Sequence, residues 1–177
     1  VVGPEFGPLA GLSVALVNLQ GKLAKRSLVA LLVGFPLGIV AALLTTLFMI
    51  AVGAFPEDFA DAQHPFTEFI SNPDFLSFFV AFVAGSAGVL SLTSAKSGAL
   101  VGVLISVTTI PAAANIGVAA AYTDGEGWRG SMAQLALNLT SIVVAGTTVL
   151  AVQRLLYARR RRHHLRADNP PLPRSER

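Results

Sequence analysis

Four stretches of this chain, residues 27–55, 75–95, 97–123 and 130–153, contain no charged side chain. Each is long enough to cross the hydrocarbon core of a bilayer as a helix, which takes about 20 predominantly apolar residues. A peptide group in hydrocarbon has no water to bond, so a spanning segment must satisfy its own backbone as a helix or join a closed barrel. Barrel strands would alternate apolar and polar residues over about ten positions; these blocks are apolar throughout. Helices are therefore predicted. A fifth uncharged stretch, residues 6–21, is short, as a truncated span would be.

Composition agrees. Hydrophobic residues make up 53% of the 177 and charged residues 13%, against about 25% charged in a soluble domain. A soluble core of this size has no room for so much apolar surface. Cysteine is absent, which excludes disulfides and thiol chemistry. The predicted organisation is an all-α, polytopic transmembrane helical bundle over residues 1–157. Its spans lie at about 1–20 (partial), 27–55, 75–95, 97–121 and 130–153. A basic, proline-containing cytoplasmic tail, 158–177, is predicted to extend the last helix and then fray into disorder.

Lysine and arginine set the orientation. With the tail placed in the cytoplasm, threading backward puts residues 122–129 outside, Lys96 inside, 55–74 outside, and Lys22, Lys25 and Arg26 inside. Twelve of the thirteen basic residues then fall on the cytoplasmic side, Arg129 alone being outside. The outer loops take Glu57, Asp58, Asp61, Glu68, Asp74, Asp124 and Glu126. One threading satisfies every loop, and it describes a multi-pass protein of the bacterial inner membrane. The run Arg159, Arg160, Arg161 and Arg162 resembles a nucleic-acid patch, but beside a span it reads as an anchor to anionic lipid. In the loop 55–74, Phe59, Phe66, Phe69 and Ile70 fit either interfacial helical turns or a solvated loop with anchoring aromatics.

Sliding the sequence on itself by 107 residues aligns Pro4 with Pro111, Lys22 with Arg129, Leu28 with Leu135 and Leu43 with Leu150. Lys22 falls inside and Arg129 outside, so the two copies run in opposite directions, as in many secondary transporters. This predicts an inverted three-helix repeat with proline-broken helices. It also predicts that roughly 30–35 residues of the first copy precede Val1.

The breaks hold the candidate site. Pro4 and Pro8 bracket Glu5 in Gly3-Pro4-Glu5-Phe6-Gly7-Pro8, and the second copy carries Thr108-Thr109-Ile110-Pro111-Ala112-Ala113-Ala114-Asn115. Proline removes a backbone donor and clashes with the preceding turn, so local unwinding with freed carbonyls is expected at both places. Glu5 is the only carboxylate inside an apolar block. An ionisable group at membrane depth marks a functional site by default. Here it is a proton or cation site, a cap to an unwound turn, or an interfacial residue. The candidate ligand- or ion-binding set is Glu5, Gly7, Pro8, Thr108, Pro111, Asn115 and Asn138. The two asparagines also fit hydrogen bonding between helices, and Thr45, Thr46, Thr108, Thr109, Thr140, Thr147 and Thr148 fit bonds to their own helix backbone.

Small residues at four-residue spacing (Gly3, Gly7 and Gly11; Gly34 and Gly38; Gly98 and Gly102), with the patch Gly85-Ser86-Ala87-Gly88, allow close packing within or between subunits. The pattern Gly125-Glu126-Gly127-Trp128-Arg129-Gly130 lacks the preceding strand a dinucleotide loop needs. Asn138-Leu139-Thr140 lies within a span, and His163 with His164 has no companion ligands for a metal. No catalytic set, cofactor or metal site is expected. The expected partners are the lipid bilayer, further copies of the chain, and a small solute or ion; nucleic acid is not one.

The ordered glycines and prolines carry a resemblance. Val1-Val2-Gly3-Pro4-Glu5-Phe6-Gly7-Pro8-Leu9, Gly85-Ser86-Ala87-Gly88, Leu100-Val101-Gly102-Val103-Leu104-Ile105-Ser106-Val107-Thr108-Thr109-Ile110-Pro111 and Asn138-Leu139 resemble the domain of unknown function 389 family, over residues 1 to about 157. That family groups uncharacterised hydrophobic bacterial membrane proteins. The resemblance implies a membrane fold and upstream helices, and no activity. The chain departs from the family pattern at Glu5, where a small polar residue is expected, and at Ala112, where a second proline is common. Two functions follow for the chain: a transporter or channel for a small solute or ion, or a non-transporting scaffold that oligomerises through its glycine faces.

The membrane reading makes a direct prediction. The expressed chain should stay with the membrane pellet through alkaline carbonate washing and leave it only with detergent. A monodisperse, detergent-free monomer would contradict it.

Overall fold

The structure, a computed structural model, describes residues 5–54, 75–92 and 98–167, with side chains described for 5–54, 75–91 and 105–159. The described residues form five helices and no strand: α1 Phe6–Asn18, α2 Gly21–Ala51, α3 Phe75–Leu92, α4 Gly98–Ala121 and α5 Gly125–Ala167. Two of them, Gly21–Ala51 and the Gly125–Arg159 part of α5, are long and apolar enough to cross a membrane, with mean hydropathy of 2.5 and 2.0. The others contribute shorter apolar helices over the residues whose side chains are described.

Packing contacts give the directions. Ser13 lies against Val143 and Gly146, and Arg154 reaches Val17 and Asn18, so α1 and α5 run the same way. Gly85 meets Ile142 and Val89 meets Gly146, which adds α3 to that set. Asn115 bonds Ser131 and Asn138 bonds Thr108, so α4 opposes α5. With α2 folding back from α1 across a two-residue turn, α2 and α4 form the opposing set. One end of the bundle thus gathers Lys22, Lys25, Arg26 and Arg154, while Asp124, Glu126 and Arg129 stand at the other.

The two interhelical turns share one geometry. After α1, Leu19 takes a left-handed backbone (φ 54°) and the Gln20 N–H reaches back to the Ala15 carbonyl at 2.9 Å. After α4, Thr123 does the same (φ 56°) and the Asp124 N–H reaches the Ala119 carbonyl at 2.9 Å. Such a reach over five residues closes a helix end by satisfying a carbonyl that has lost its partner. The next helices restart alike, Ala24 bonding Gln20 at 3.0 Å and Trp128 bonding Asp124 at 3.1 Å. Leu19 and Thr123 stand 104 positions apart, so the geometric register is 104 and not the 107 of the sequence alignment.

Tertiary contacts recur at that spacing. Gly11 packs on Ser27 while Asn115 bonds Ser131; Ser13 sits against Val143 and Gly146 while Gly117 sits against Ile39 and Ala42.

The core interleaves large apolar side chains with alanines. Phe6, Leu9, Leu31, Ala81, Ala84, Ile105 and Ile142 form one buried cluster, and Ala112, Ala113, Ile116 and Leu135 a second. By contrast α2 keeps an apolar surface outside: Leu32, Leu37, Leu44 and Phe48 are each at least 60% exposed.

One expectation needs correction. Pro111 does not break its helix; α4 runs unbroken from Gly98 to Ala121. Only one acceptor loses its donor to the ring, and an amide from α5 covers the neighbouring carbonyl. Pro8 lies in the first turn of α1, where backbone N–H groups have no partner within the helix in any case. Pro36, inside α2, leaves that helix continuous too. Into the tail, α5 continues through the arginine run to Ala167. Pro4, Lys96 and the loop 55–74 lie outside the described residues, and so does the rest of the tail, 168–177.

Glycine does measurable work where helices touch. A Cβ on Gly85 would stand 2.7 Å from Ile142 Cα, and one on Gly117 2.7 Å from the Ile39 carbonyl oxygen; around Gly34 nothing lies within 4 Å. Overpacking of this kind costs about 1–3 kcal/mol. Gly85→Ala and Gly117→Ala should therefore lower the unfolding midpoint of the purified protein by several degrees, with Gly34→Ala unchanged. Equal midpoints in all three would refute this packing.

Candidate functional site

Glu5 precedes α1 at its N-cap position, with helical backbone angles (φ −74°, ψ −21°) and no capping bond from its side chain. Its carbonyl opens the helix by accepting from the Leu9 N–H at 3.0 Å. The side chain leaves the helix end and crosses to α4. There Oε1 accepts a hydrogen bond from Ser106 Oγ at 2.8 Å and shares the single Thr109 hydroxyl proton, 3.2 Å away, with the Ile105 carbonyl at 3.0 Å. Ser106 and Thr109, three apart, share one face of α4. Glu5 is 6% exposed, and its Oε2 has no hydrogen-bond partner among the described residues. A buried acceptor without a donor is expensive, so such an atom points to something that binds there.

Glu5, whose Oε2 atom is itself buried, also lines a cavity of about 360 Å³ between α1, α2 and α4. Apart from Glu5 its wall is apolar: Pro8 from α1, Leu31, Phe35 and Ala42 from α2, Ile110 and Ala113 from α4, and neighbouring small residues. The segment before Pro8 and the segment before Pro111 therefore do come together. The meeting is made by Glu5 with Ser106 and Thr109, and not by carbonyls freed from unwound turns.

The other expected members are spread along the α4–α5 seam. Thr108 turns its hydroxyl to the Ile105 carbonyl at 2.8 Å, and its own carbonyl accepts from Asn138 Nδ2 at 2.7 Å. Asn138 thus braces the turn that Pro111 weakens. Asn115 donates to Ser131 Oγ at 2.7 Å, further along the seam and away from Glu5. Gly7 is exposed, with nothing within 4 Å of where a Cβ would be. Arg159 is exposed near the far end of α5, and the side chains of Arg160, Arg161 and Arg162 lie outside the described ones. Thr46, Thr109 and Thr148 bond carbonyls one turn back in their own helices.

Sequence reasoning missed two groups. Ser106 was not singled out, although the Ser106–Thr109 spacing offered a helical hydroxyl pair; which face of α4 meets Glu5 is decided only by packing. Gln134, 5% exposed and with Oε1 unpartnered, lies on the same face of α5 as Ser131 and Asn138. As for metals, no group of three or more His, Cys, Asp or Glu gathers among the described residues.

The brace has a local test. Asn138→Leu leaves the Thr108 carbonyl without its second donor, a loss of about 1 kcal/mol. By hydrogen–deuterium exchange the amides around Pro111 should then exchange roughly fivefold faster, with α2 unaffected. Unchanged exchange there would remove Asn138 from this role.

No curated protein and no solved structure matches this chain. The family model described as Domain of unknown function (DUF389) matches residues 1–144, ending within the last helix and short of residue 157, where the sequence resemblance was drawn. That stretch contains Glu5, the Ser106–Thr109 pair, Pro111 and Asn138, and the chain is a member of the DUF389 family.

Proposed function

We propose that this is a non-enzymatic, multi-pass protein of the bacterial inner membrane that binds and passes a small solute or ion at the Glu5 cavity. The observation that carries the reading is the carboxylate itself. It is buried among apolar helices, is held through one oxygen by hydroxyls of α4, has no partner for the other oxygen among the described residues, and belongs to a residue that lines a cavity. A purely structural carboxylate would be expected to have both oxygens satisfied.

The membrane setting draws on the two long apolar helices and on the exposed leucines and phenylalanine of α2, a surface suited to lipid. The cytoplasmic side is the end holding Lys22, Lys25, Arg26 and Arg154, by the preference of basic loops for that side.

The inverted repeat belongs to the same reading, in a register of 104. Support comes from the matched turns after α1 and α4, the opposite directions of those helices, and the recurrence of the Gly11–Ser27 and Ser13–Gly146 contacts as Asn115–Ser131 and Gly117–Ala42. In this register Glu5 corresponds to Thr109, to which it is bonded, as residues near a two-fold axis would be. Transporters of this design place their sites where the repeats meet.

One observation favours the scaffold reading. Gly34 and Gly38 have open space where a Cβ would stand and meet no other helix there among the described residues, as a subunit contact would require.

Flux in proteoliposomes separates the two. Proton or cation flux, inorganic or organic, through the full chain should fall at least tenfold in Glu5→Gln, with yield and unfolding midpoint retained. Equal flux in the variant, or none in the parent, would overturn the transport reading.

A further inference from the structure

The chemistry of the cavity narrows what Glu5 receives. A bare metal cation replaces its water shell with about six oxygens when its ligands are hard. Here one carboxylate oxygen has no partner among the described residues, the other is engaged by Ser106 and Thr109, and the remaining wall is mostly carbon. A sugar or other polyhydroxylated solute would leave most of its own hydroxyls unpaired against that wall, at a cost for each. One anionic acceptor at the edge of an apolar chamber matches the opposite arrangement, a single positively charged N–H donor on an apolar body. Charge-assisted hydrogen bonds of this kind are the stronger class, and about 360 Å³ falls within the range of small-molecule pockets.

The mouth agrees. Ala30, Gly34 and Gly38 of α2 and Ile110 and Ala114 of α4 line the cavity and are exposed, so it opens sideways between two helices. If α2 faces lipid, this mouth faces lipid as well. An amphiphile partitioned into the membrane has its apolar body already at that depth; a hydrated inorganic ion does not.

We propose that the Glu5 cavity binds a small organic ammonium ion with an apolar body, admitted between α2 and α4, its N–H donating to the Glu5 carboxylate. This rests on the reading of the cavity as the functional site and names its ligand class. Glu5 supplies charge and direction, while Leu31, Phe35 and Ile110 supply the surface against which the body packs.

The probe is phenethylammonium, with 2-phenylethanol as a neutral counterpart of similar shape and rubidium as a bare cation. Equilibrium dialysis of the radiolabelled amine against the full chain in detergent should give saturable binding of one ion per chain. Excess unlabelled amine should compete, and neither phenylethanol nor rubidium should. Glu5→Gln should weaken binding at least tenfold, and Glu5→Asp less. Gly38→Val, placed where nothing lies within 4 Å, fills the mouth and should weaken binding with Glu5 intact. An unfolding midpoint for each variant separates lost binding from lost fold.

Rubidium competing as well as the amine, or amine binding unchanged in Glu5→Gln, would overturn the assignment. If proton or alkali-cation flux depends on Glu5 but no ammonium binds, the cavity remains the site and this ligand class is wrong. If neither flux nor binding appears, both readings fall.

Discussion

Helices without charge on their faces must hold together by contact alone, and in this bundle contact means backbone meeting backbone. Where Gly85 faces Ile142, where Gly117 faces Ile39 and Ala42, and where Ser13 lies against Gly146, a missing or minimal side chain lets two helices approach. Lipid-facing helices gain little from apolar burial against one another, because hydrocarbon is as apolar as leucine. Dispersion and a few hydrogen bonds between helices must suffice. The buried clusters accordingly set alanines beside leucine, isoleucine and phenylalanine, and many further apolar side chains stay exposed along α2.

Within such a frame each polar group is conspicuous, and most are accounted for. Threonine and serine hydroxyls return to carbonyls of their own helices; Asn115 and Asn138 tie α4 to α5; Arg154 reaches the last carbonyls of α1, where a cation complements the helix dipole. The exceptions are therefore informative. Glu5 Oε2, Gln134 Oε1, Asn138 Oδ1 and Thr147 Oγ1 are the buried side-chain atoms without partners among the described residues. Glu5 differs from the rest because it alone is a carboxylate and because it borders a cavity open to the outside.

Much of the fold was legible because hydropathy and charge act through composition over long windows. The helical class and the two long apolar helices needed no tertiary knowledge. Pro111 was read too strongly. In a peptide it would disrupt its turn, but here Asn138, thirty residues beyond Thr108 in sequence, supports the Thr108 carbonyl in that turn. The repeat was sensed through scattered identities at 107, while the turn geometry, to which Leu19 and Thr123 contribute backbone shape and no shared side chain, falls at 104. Glu5 stood out as the one acid in an apolar block, but the hydroxyls that hold it depend on the rotation of α4, which periodicity alone does not give.

The last helix has a mechanical meaning. Its 43 residues extend about 65 Å at the usual rise per residue, roughly twice the hydrocarbon thickness of a membrane. Its hydrogen-bond ladder joins the seam at Ser131 and Asn138 to the arginines beyond Tyr157 without a hinge. A helix with no break along its length joins the two regions through one continuous backbone, so a load on the arginine end is carried to the residues that meet α4 at Ser131 and Asn138.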